Sequence, residues 1–330
     1  MTTATTGAPM VTPEQATWFA RAFSALVSNV EQAVLGKQHI VRLALTCLVS
    51  EGHLLLEDYP GTGKTSLAKA IANSVQGTHS RIQFTPDLLP SDVTGVTIFD
   101  QRSGQFAFHG GPIFATIVLA DEINRASPKT QSALLEVMEE GRVTVDGTPH
   151  PVGRPFMVIA TQNPIEQAGT YRLPEAQLDR FLMKTSLGYP DHNATVALLA
   201  SAATRDRAAS VHNVITTQAI TQMSALADTV HVDPAILSYV SQLAHESRQL
   251  RHVRLGISVR GCLAYVRAAK TWALADGRGY VIPDDIKELA VPVLSHRLLL
   301  DAEAEFSGVT VEDVIGQLLS QVRPPASRGA

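Results

Sequence analysis

The stretch "LLLEDYPGTGKT", residues 54–65, constrains the fold of this chain more than any other. An apolar run leads into two closely spaced glycines and a Lys-Thr pair, the pattern of a phosphate-binding loop between a strand and a helix. Backbone N–H groups of residues 61–65, with the positive end of the following helix, would surround a β-phosphate. Lys64 would reach the β- and γ-phosphates, and the Thr65 hydroxyl would bind Mg²⁺. The residues predicted to bind ATP are Pro60, Gly61, Thr62, Gly63, Lys64, Thr65 and Ser66.

The loop departs from its usual pattern at Asp58, where a glycine is expected. Asp58 comes at the strand exit, before the residues whose amides would hold the phosphates. Aspartate tolerates turn conformations better than most residues. We therefore expect the loop to bind nucleotide, with the Asp58 carboxylate facing away from the phosphates or near solvent.

A second apolar run, in "ATIVLADEINRA", ends in the acidic pair Asp121-Glu122. A carboxylate at the end of a buried strand can hold Mg²⁺, and its neighbour can activate an attacking water as a general base. This assigns Asp121 to the metal, together with Thr65, and Glu122 to the water. The alternative is an ordinary helix cap after a strand.

Strands and helices alternate through the first part of the chain, after N-terminal helices predicted within residues 12–50. Apolar runs typical of buried strands lie at 53–57, 81–84, 115–120, 156–162 and 182–187. Helical patterns intervene at 64–75 and 127–140. Such alternation predicts an α/β fold with a parallel sheet covered on both faces.

Two segments interrupt this alternation, at residues 85–112 and 141–152. The first contains alternating apolar residues on either side of a turn-like "QRSGQ". The second contains Asp146-Gly147, a strong hairpin signal. Both are expected to form hairpins where a simple loop would otherwise suffice.

After Tyr189-Pro190 the pattern is expected to be helical to the end, which places a domain boundary near residue 190. The predicted helices are 191–206, 216–228, 233–250, 258–275, 283–299 and 310–321. The predicted layout is a disordered tail (1–11), an α/β core (12–190), a helical domain (191–322) and a tail (323–330).

Composition excludes several classes of function. The 330 residues carry a formal net charge of −4, which is not the basic footprint of a nucleic-acid binder. The two cysteines lack metal-ligand spacing and are expected to be reduced. The N-terminus lacks signal-peptide features, and no apolar run approaches the ~18 residues of a membrane span, so a cytoplasmic protein is expected.

Four motifs in order resemble the MoxR family of AAA+ ATPases. They are "GTGKT", "LADEINRASPKTQSALLEVMEEG", "ATQNPIEQAGTYRLPEAQLDRF" and "GISVRG", and the resemblance covers about residues 35–320. It implies an AAA+ core with a C-terminal all-α lid. It also implies that segment 85–112 is the family's helix-2 insertion and segment 141–152 its pre-sensor hairpin, facing a pore or partner. Solvated hairpins that only cover the core are the alternative.

The resemblance further implies roles for three polar residues. Asn163 matches the first sensor, Arg180 the arginine finger, and Arg260 the second sensor at the start of a lid helix. The alternative for Asn163 is an Asn-Pro turn, and the alternative for Arg180 is an ion pair with a nearby acidic residue (Asp179 or Glu175). Before Arg260 the chain departs from the family pattern, with Val259 where a proline is expected. Arg125 is a competing interface arginine.

The implied activity is Mg²⁺-dependent ATP hydrolysis between subunits of a homo-hexameric ring. The implied task is chaperone-like remodelling or activation of a client protein, such as a metalloenzyme awaiting its cofactor, often with a von Willebrand factor A domain partner. The alternatives are a chelatase-type motor subunit, a DNA-directed AAA+ motor, and a nucleotide-gated scaffold with negligible hydrolysis. No nucleic-acid or membrane partner is expected.

Overall fold

The computed structural model describes residues 11–59, 61–163, 170–200 and 207–325. Its contacts divide the chain into two units. The core unit is Ala25–Thr221, and the terminal unit is Met1–Ser24 together with Gln222–Ala330.

The core unit carries the strands and helices of the predicted α/β alternation. Its strands are β1 (Leu54–Glu57), β2 (His79–Gln83), β3 (Gly95–Asp100), β4 (Gln105–Gly110), β5 (Ile117–Asp121), β6 (Arg142–Val145), β7 (Thr148–Pro151), β8 (Met157–Gln162) and β9 (Met183–Thr185). Its helices are α2 (Gln38–Val49), α3 (Lys64–Ser74), α4 (Pro90–Thr94), α5 (Pro128–Glu140), α6 (Glu175–Leu178) and α7 (His192–Ala200). Helices α1 (Pro13–Glu31) and α8 (Thr217–Asp228) each continue across a unit boundary.

Within the described residues, β2, β5, β8, β1 and β9 form one sheet in that order, and every pairing in it is parallel. The first five residues of β8 and all of β5 are buried, as expected for central parallel strands covered on both faces. This confirms the predicted fold class. Because all five strands run the same way, their carboxyl ends lie along one edge.

Apolar side chains from the sheet, the insertions and α5 share one core cluster. Its fully buried members include Leu55, Val118, Val158, Leu134 and Phe84. Helix α3 also buries its apolar side, with Leu67 and Ile71 fully inaccessible. This packing fixes the helix that begins directly after the phosphate loop.

Both insertions contain antiparallel hairpins, β3 with β4 and β6 with β7. In the second, Asp146 and Gly147 have φ of 50° and 78°, the left-handed pair that a tight hairpin turn requires. The rings of Phe108 and His150 stack with centroids 3.8 Å apart and so join the two insertions.

The terminal unit is mainly helical, but the expectation that it contains no strands was wrong. Its elements are α9 (Pro234–Ser247), β10 (Val253–Leu255), α10 (Val259–Ala275), α11 (Pro283–Glu288), α12 (Ala290–Leu294), β11 (Leu299–Leu300), α13 (Ala302–Phe306) and α14 (Val311–Gln321). Strands β10 and β11 pair antiparallel. Strands of two or three residues are too short to leave a period-two pattern, which explains why the sequence did not reveal them.

The predicted single helix 283–299 is divided between α11, α12 and the start of β11. Near its beginning, Arg278 makes two hydrogen bonds with the buried carboxylate of Asp285, at 2.6 and 2.8 Å. These bonds raise the pKa of Arg278. Among the described residues, no helix combines the length and apolar character needed to cross a membrane.

The contact-based division differs from a boundary near residue 190 because residues after α7 pack on α3. The amide of Asn73 donates to the Ala208 carbonyl at 2.8 Å. The N–H groups of Val214 and Ile215 both donate to the Ser74 carbonyl, at 2.9 and 3.1 Å. Residues 207–215 therefore group with the core by their contacts, and the functional boundary near 190 stays a prediction.

His53 gives a test of this core. Its buried ring accepts from the Val158 N–H at Nδ1 and contacts the Met138 carbonyl at Nε2, both at 3.0 Å. We expect His53→Ala to lower the free energy of unfolding by roughly 2–4 kcal/mol, because two buried backbone groups lose a partner. Urea denaturation measures this. The exposed His245 provides the control, and His245→Ala should change stability by less than about 0.5 kcal/mol. Equal free energies of unfolding for the two variants would contradict the stabilising role of the His53 hydrogen bonds.

Candidate active site

The phosphate loop connects β1 to α3 through two glycines with left-handed backbone. Gly61 has φ of 82°, and Gly63, the residue before α3, has φ of 97°. A Cβ added at Gly61 would meet nothing within 4 Å. The requirement for glycine is therefore one of backbone conformation and not of space. Pro60 lies outside the described residues.

The remaining loop residues lie at the start of α3. The N–H of Leu67 donates to the Gly63 carbonyl at 3.0 Å and closes the first helical turn. Lys64 opens the helix, with its Nζ 3.2 Å from the Tyr59 carbonyl, and Thr65 is exposed. Ser66 follows in the same turn. Amides in the first turn of a helix lack an acceptor within the helix, and beside a lysine and an exposed hydroxyl they are a donor set that fits a nucleotide phosphate and its Mg²⁺.

Asp58 is a structural residue at the start of this loop. It is only 1% exposed, so of the two placements expected for its carboxylate, facing away from the phosphates or near solvent, the second does not hold. Its carboxylate accepts from Leu187 N–H (2.6 Å), Gly188 N–H (2.9 Å) and the Ser186 hydroxyl (2.9 Å). Asp58 thereby connects the exit of β1 to the exit of β9. A glycine could not make these bonds.

The acidic pair lies at the carboxyl end of β5, as the sequence predicts. Glu122 has left-handed backbone, with φ 56° and ψ 49°, and its N–H donates to the Thr161 hydroxyl at 2.9 Å. The same hydroxyl donates to Asp121 at 2.6 Å. Thr161 on β8 therefore fixes both acidic residues, a role the sequence analysis missed.

Two residues of β2 also contact the acidic pair. Arg81 donates to Asp121 at 2.6 Å, and Gln83 donates to Glu122 at 2.9 Å. Arg125, considered above as an interface arginine, donates to Glu122 at 2.8 Å. The only sequence signal for the first two is their spacing of two residues on one strand, which places both side chains on one face.

Asn163 and Arg180 both belong to the core unit. Asn163 directly follows β8, whose last residue pairs with Glu57 at the end of β1. It therefore lies at the sheet edge that carries the phosphate loop, while its neighbour Pro164 is outside the described residues. Arg180 forms an ion pair with Glu139 of α5 at 3.0 Å.

Arg260 belongs to the terminal unit, as the second residue of α10. It is exposed, and the Ser258 hydroxyl caps the helix by accepting the Gly261 N–H at 2.9 Å. The helix therefore begins at Val259 without the expected proline.

Two family models match this chain. Residues 53–183 match the ATPase family associated with various cellular activities (AAA), and residues 245–318 match the AAA lid domain. The chain is 39% identical to Chaperone MoxR1 of Mycobacterium tuberculosis, over 91% of this chain and 81% of that protein. It is 30% identical to Protein MoxR of Paracoccus denitrificans, over 87% and 91%.

The chain belongs to the MoxR family of AAA+ ATPases. Another relative, the uncharacterized protein YeaC of Bacillus subtilis, is 46% identical over 92% of this chain and 95% of its own. A crystal structure from Cytophaga hutchinsonii, named as a candidate ATPase, superposes with a TM-score of 0.88 at 34% identity, over 94% of this chain and 97% of that one. Membership of this family implies nucleotide binding and confirms the AAA+ core and lid.

Asp58 gives a test of the loop's attachment in this MoxR-family chain. We expect Asp58→Ala to lower the free energy of unfolding by roughly 2–4 kcal/mol, because the Leu187 and Gly188 N–H groups lose their acceptor. Asp58→Gly should lose as much, although it restores the usual glycine. Urea denaturation measures both.

The matched control is Asp58→Asn, which keeps the shape and one acceptor oxygen and should therefore lose less than Asp58→Ala. An Asp58→Gly protein as stable as the parent would contradict the structural role.

Proposed function

We propose that this protein hydrolyses ATP in a Mg²⁺-dependent reaction, as a homo-hexameric ring that remodels or activates a client protein. The observation that carries the proposal is the phosphate loop at the end of β1, on the same sheet edge as the acidic pair of β5 and the Asn163 that follows β8. Phosphate binding and water activation are thereby assigned to one edge of one sheet.

Each residue has a role in this reaction. The amides of residues 61–65 and Lys64 bind the β- and γ-phosphates. Thr65 and Asp121 would hold Mg²⁺, which offsets the charge that develops on the phosphate oxygens. Glu122 accepts the proton of the attacking water, and Asn163 orients that water or the γ-phosphate.

A ring of subunits is proposed because an arginine finger acts on the ATP of a neighbouring subunit. Arg180 would leave Glu139 and reach the ATP of a neighbouring subunit, where its charge offsets that of the transition state. Arg125 is the alternative finger. Arg260, at the start of α10, would act as the second sensor of the lid.

The proposed client is a protein, reached through the insertions and often through a von Willebrand factor A domain partner. Support comes from the β3–β4 hairpin, where Ile98, Phe99 and Phe106 are exposed. Exposed apolar side chains on neighbouring strands are typical of interaction surfaces. A chelatase-type motor would use the same surface. The net charge of −4 weighs against a DNA-directed motor, and Glu122 weighs against a scaffold without turnover.

The chemical assignment is tested by two variants. Glu122→Gln should bind Mg-ATP as the parent does and lose about 10²–10⁴-fold in turnover, because the general base is removed. Lys64→Ala should lose nucleotide binding, and the exposed Lys129→Ala is its control. Calorimetry measures binding, and phosphate release measures turnover. Undiminished turnover by Glu122→Gln would refute the assignment.

The finger is tested by Arg180→Ala. We expect turnover to fall by about 10³-fold or more with Mg-ATP binding retained, because the finger acts on the transition state. Glu139→Ala, which breaks the same ion pair and keeps the arginine, should retain turnover. A comparable loss of turnover in Arg180→Ala and Glu139→Ala would show that the loss comes from breaking the ion pair. Full turnover by Arg180→Ala would exclude Arg180 as the finger.

A further inference from the structure

A buried glutamine of α5 contacts both the turn that follows Glu122 and a distant segment of the core unit. Gln131 lies in the first turn of α5 and is only 1% exposed. Its Nε2 lies within hydrogen-bond distance of three carbonyl oxygens, those of Ile123 (3.1 Å), Ala126 (3.2 Å) and Tyr171 (3.1 Å). One side-chain amide therefore joins two stretches of backbone that are far apart in the chain.

The helix that carries Gln131 is itself held in place. The Gln131 N–H donates to the Ser127 carbonyl at 3.0 Å, and the Ser127 hydroxyl accepts the Thr130 N–H to cap the helix. The Thr130 hydroxyl donates to the Leu88 carbonyl at 2.7 Å, and Leu134 is fully buried one turn further on. The glutamine thus belongs to a packed helix, the kind of element from which a reactive group can be supported accurately.

The turn that Gln131 contacts begins at a residue with uncommon backbone. Glu122 has φ of 56° and ψ of 49°, a left-handed conformation that residues other than glycine seldom adopt. Such a conformation persists only where the surrounding contacts hold it. The Glu122 N–H donates to the Thr161 hydroxyl at 2.9 Å. The next carbonyl along the chain, that of Ile123, accepts from Gln131. The backbone is therefore held on both sides of the Glu122 side chain.

The other partner of Gln131, Tyr171, precedes α6. The Tyr171 N–H donates to the Asn124 carbonyl at 2.7 Å, and the Tyr171 carbonyl accepts from Gln131. Leu173, two residues later, is buried in the core cluster that contains the sheet and α5. Gln131 thereby attaches the turn after Glu122 to a segment that the core holds in place.

We propose that Gln131 is a positioning residue for ATP hydrolysis, which acts through Glu122 by holding the turn that follows it. The inference rests on the proposed function, since it takes Glu122 as the general base. A general base must lie within hydrogen-bond reach of the water whose proton it accepts. The hydrogen bonds of Gln131 go to the turn and to Tyr171, whereas the phosphates are assigned to residues 61–65. Loss of Gln131 therefore lowers turnover and leaves Mg-ATP affinity as it is.

The experiment replaces Gln131 with methionine, which has a similar shape and no N–H donor. Gln131→Met should lower kcat for Mg-ATP by about 10- to 100-fold, the cost of a misplacement of about 1 Å, with the parent's Mg-ATP affinity by calorimetry. Gln317→Met makes the same substitution at an exposed position of α14 and is the matched control, with turnover equal to that of the parent. Gln131→Asn draws the amide back by one carbon, should show the same loss, and serves if Gln131→Met does not fold.

A double-mutant cycle separates positioning of Glu122 from a general loss of structure. The effects of residues that act as a unit are strongly non-additive. Gln131→Met added to Glu122→Gln should therefore lower the residual single-turnover rate by no more than about 2-fold, far less than it lowers the rate of the parent.

Turnover equal to that of the parent in both Gln131 variants would overturn the inference. The same fold-loss with and without Glu122→Gln would also overturn it, because the glutamine would then act independently of the base. A fall in Mg-ATP affinity that accounts for the whole loss would overturn it as well. Failure of the proposed function has a different signature: the parent and Gln317→Met would show no Mg-ATP hydrolysis, or Glu122→Gln would hydrolyse ATP as fast as the parent.

Discussion

The parallel pairing of β5, β8, β1 and β9 is the constraint on which the site depends. In such a sheet the carboxyl ends of all strands reach one edge, where ligands of open α/β folds bind. Glu57 pairs with Gln162, and Ala120 pairs with Ala160. This register places the phosphate loop, Asn163 and the acidic pair on neighbouring strand ends. A slip of one residue would turn every side chain of a strand to the opposite face.

The acidic pair is held by residues that are distant in sequence. Thr161 makes a hydrogen bond with each member of the pair. Arg81 donates to the Asp121 carboxylate, and Gln83 donates to the Glu122 carboxylate. Two adjacent carboxylates repel each other, and donors aimed at each of them offset this repulsion. Their positions are therefore fixed by the protein itself, which is the preorganisation that phosphoryl transfer requires.

Asp58 departs from the usual phosphate-loop motif and has a structural role that a glycine could not have. The loop needs left-handed glycines at Gly61 and Gly63, but its first position requires only a strand exit. A buried carboxylate there accepts hydrogen bonds from the Ser186 hydroxyl and from the backbone N–H groups of Leu187 and Gly188. In this chain the loop is consequently tied to the end of β9, where Tyr189 follows.

The sequence by itself determined the α/β fold with a parallel sheet, the phosphate loop and the acidic pair, because each is encoded by neighbouring residues with a local requirement: apolar strands, left-handed glycines and a strand-end carboxylate. The AAA+ assignment came from the resemblance of four longer motifs to a known family. Asp146-Gly147 specified its hairpin for the same reason. Only the tertiary structure decided that Asp58 is buried, that Thr161 joins Asp121 to Glu122, that Arg180 pairs with Glu139, and that Tyr59 meets Tyr189. These contacts join residues far apart in the chain, and their geometry is set by strand order and register, which no local pattern of residues records.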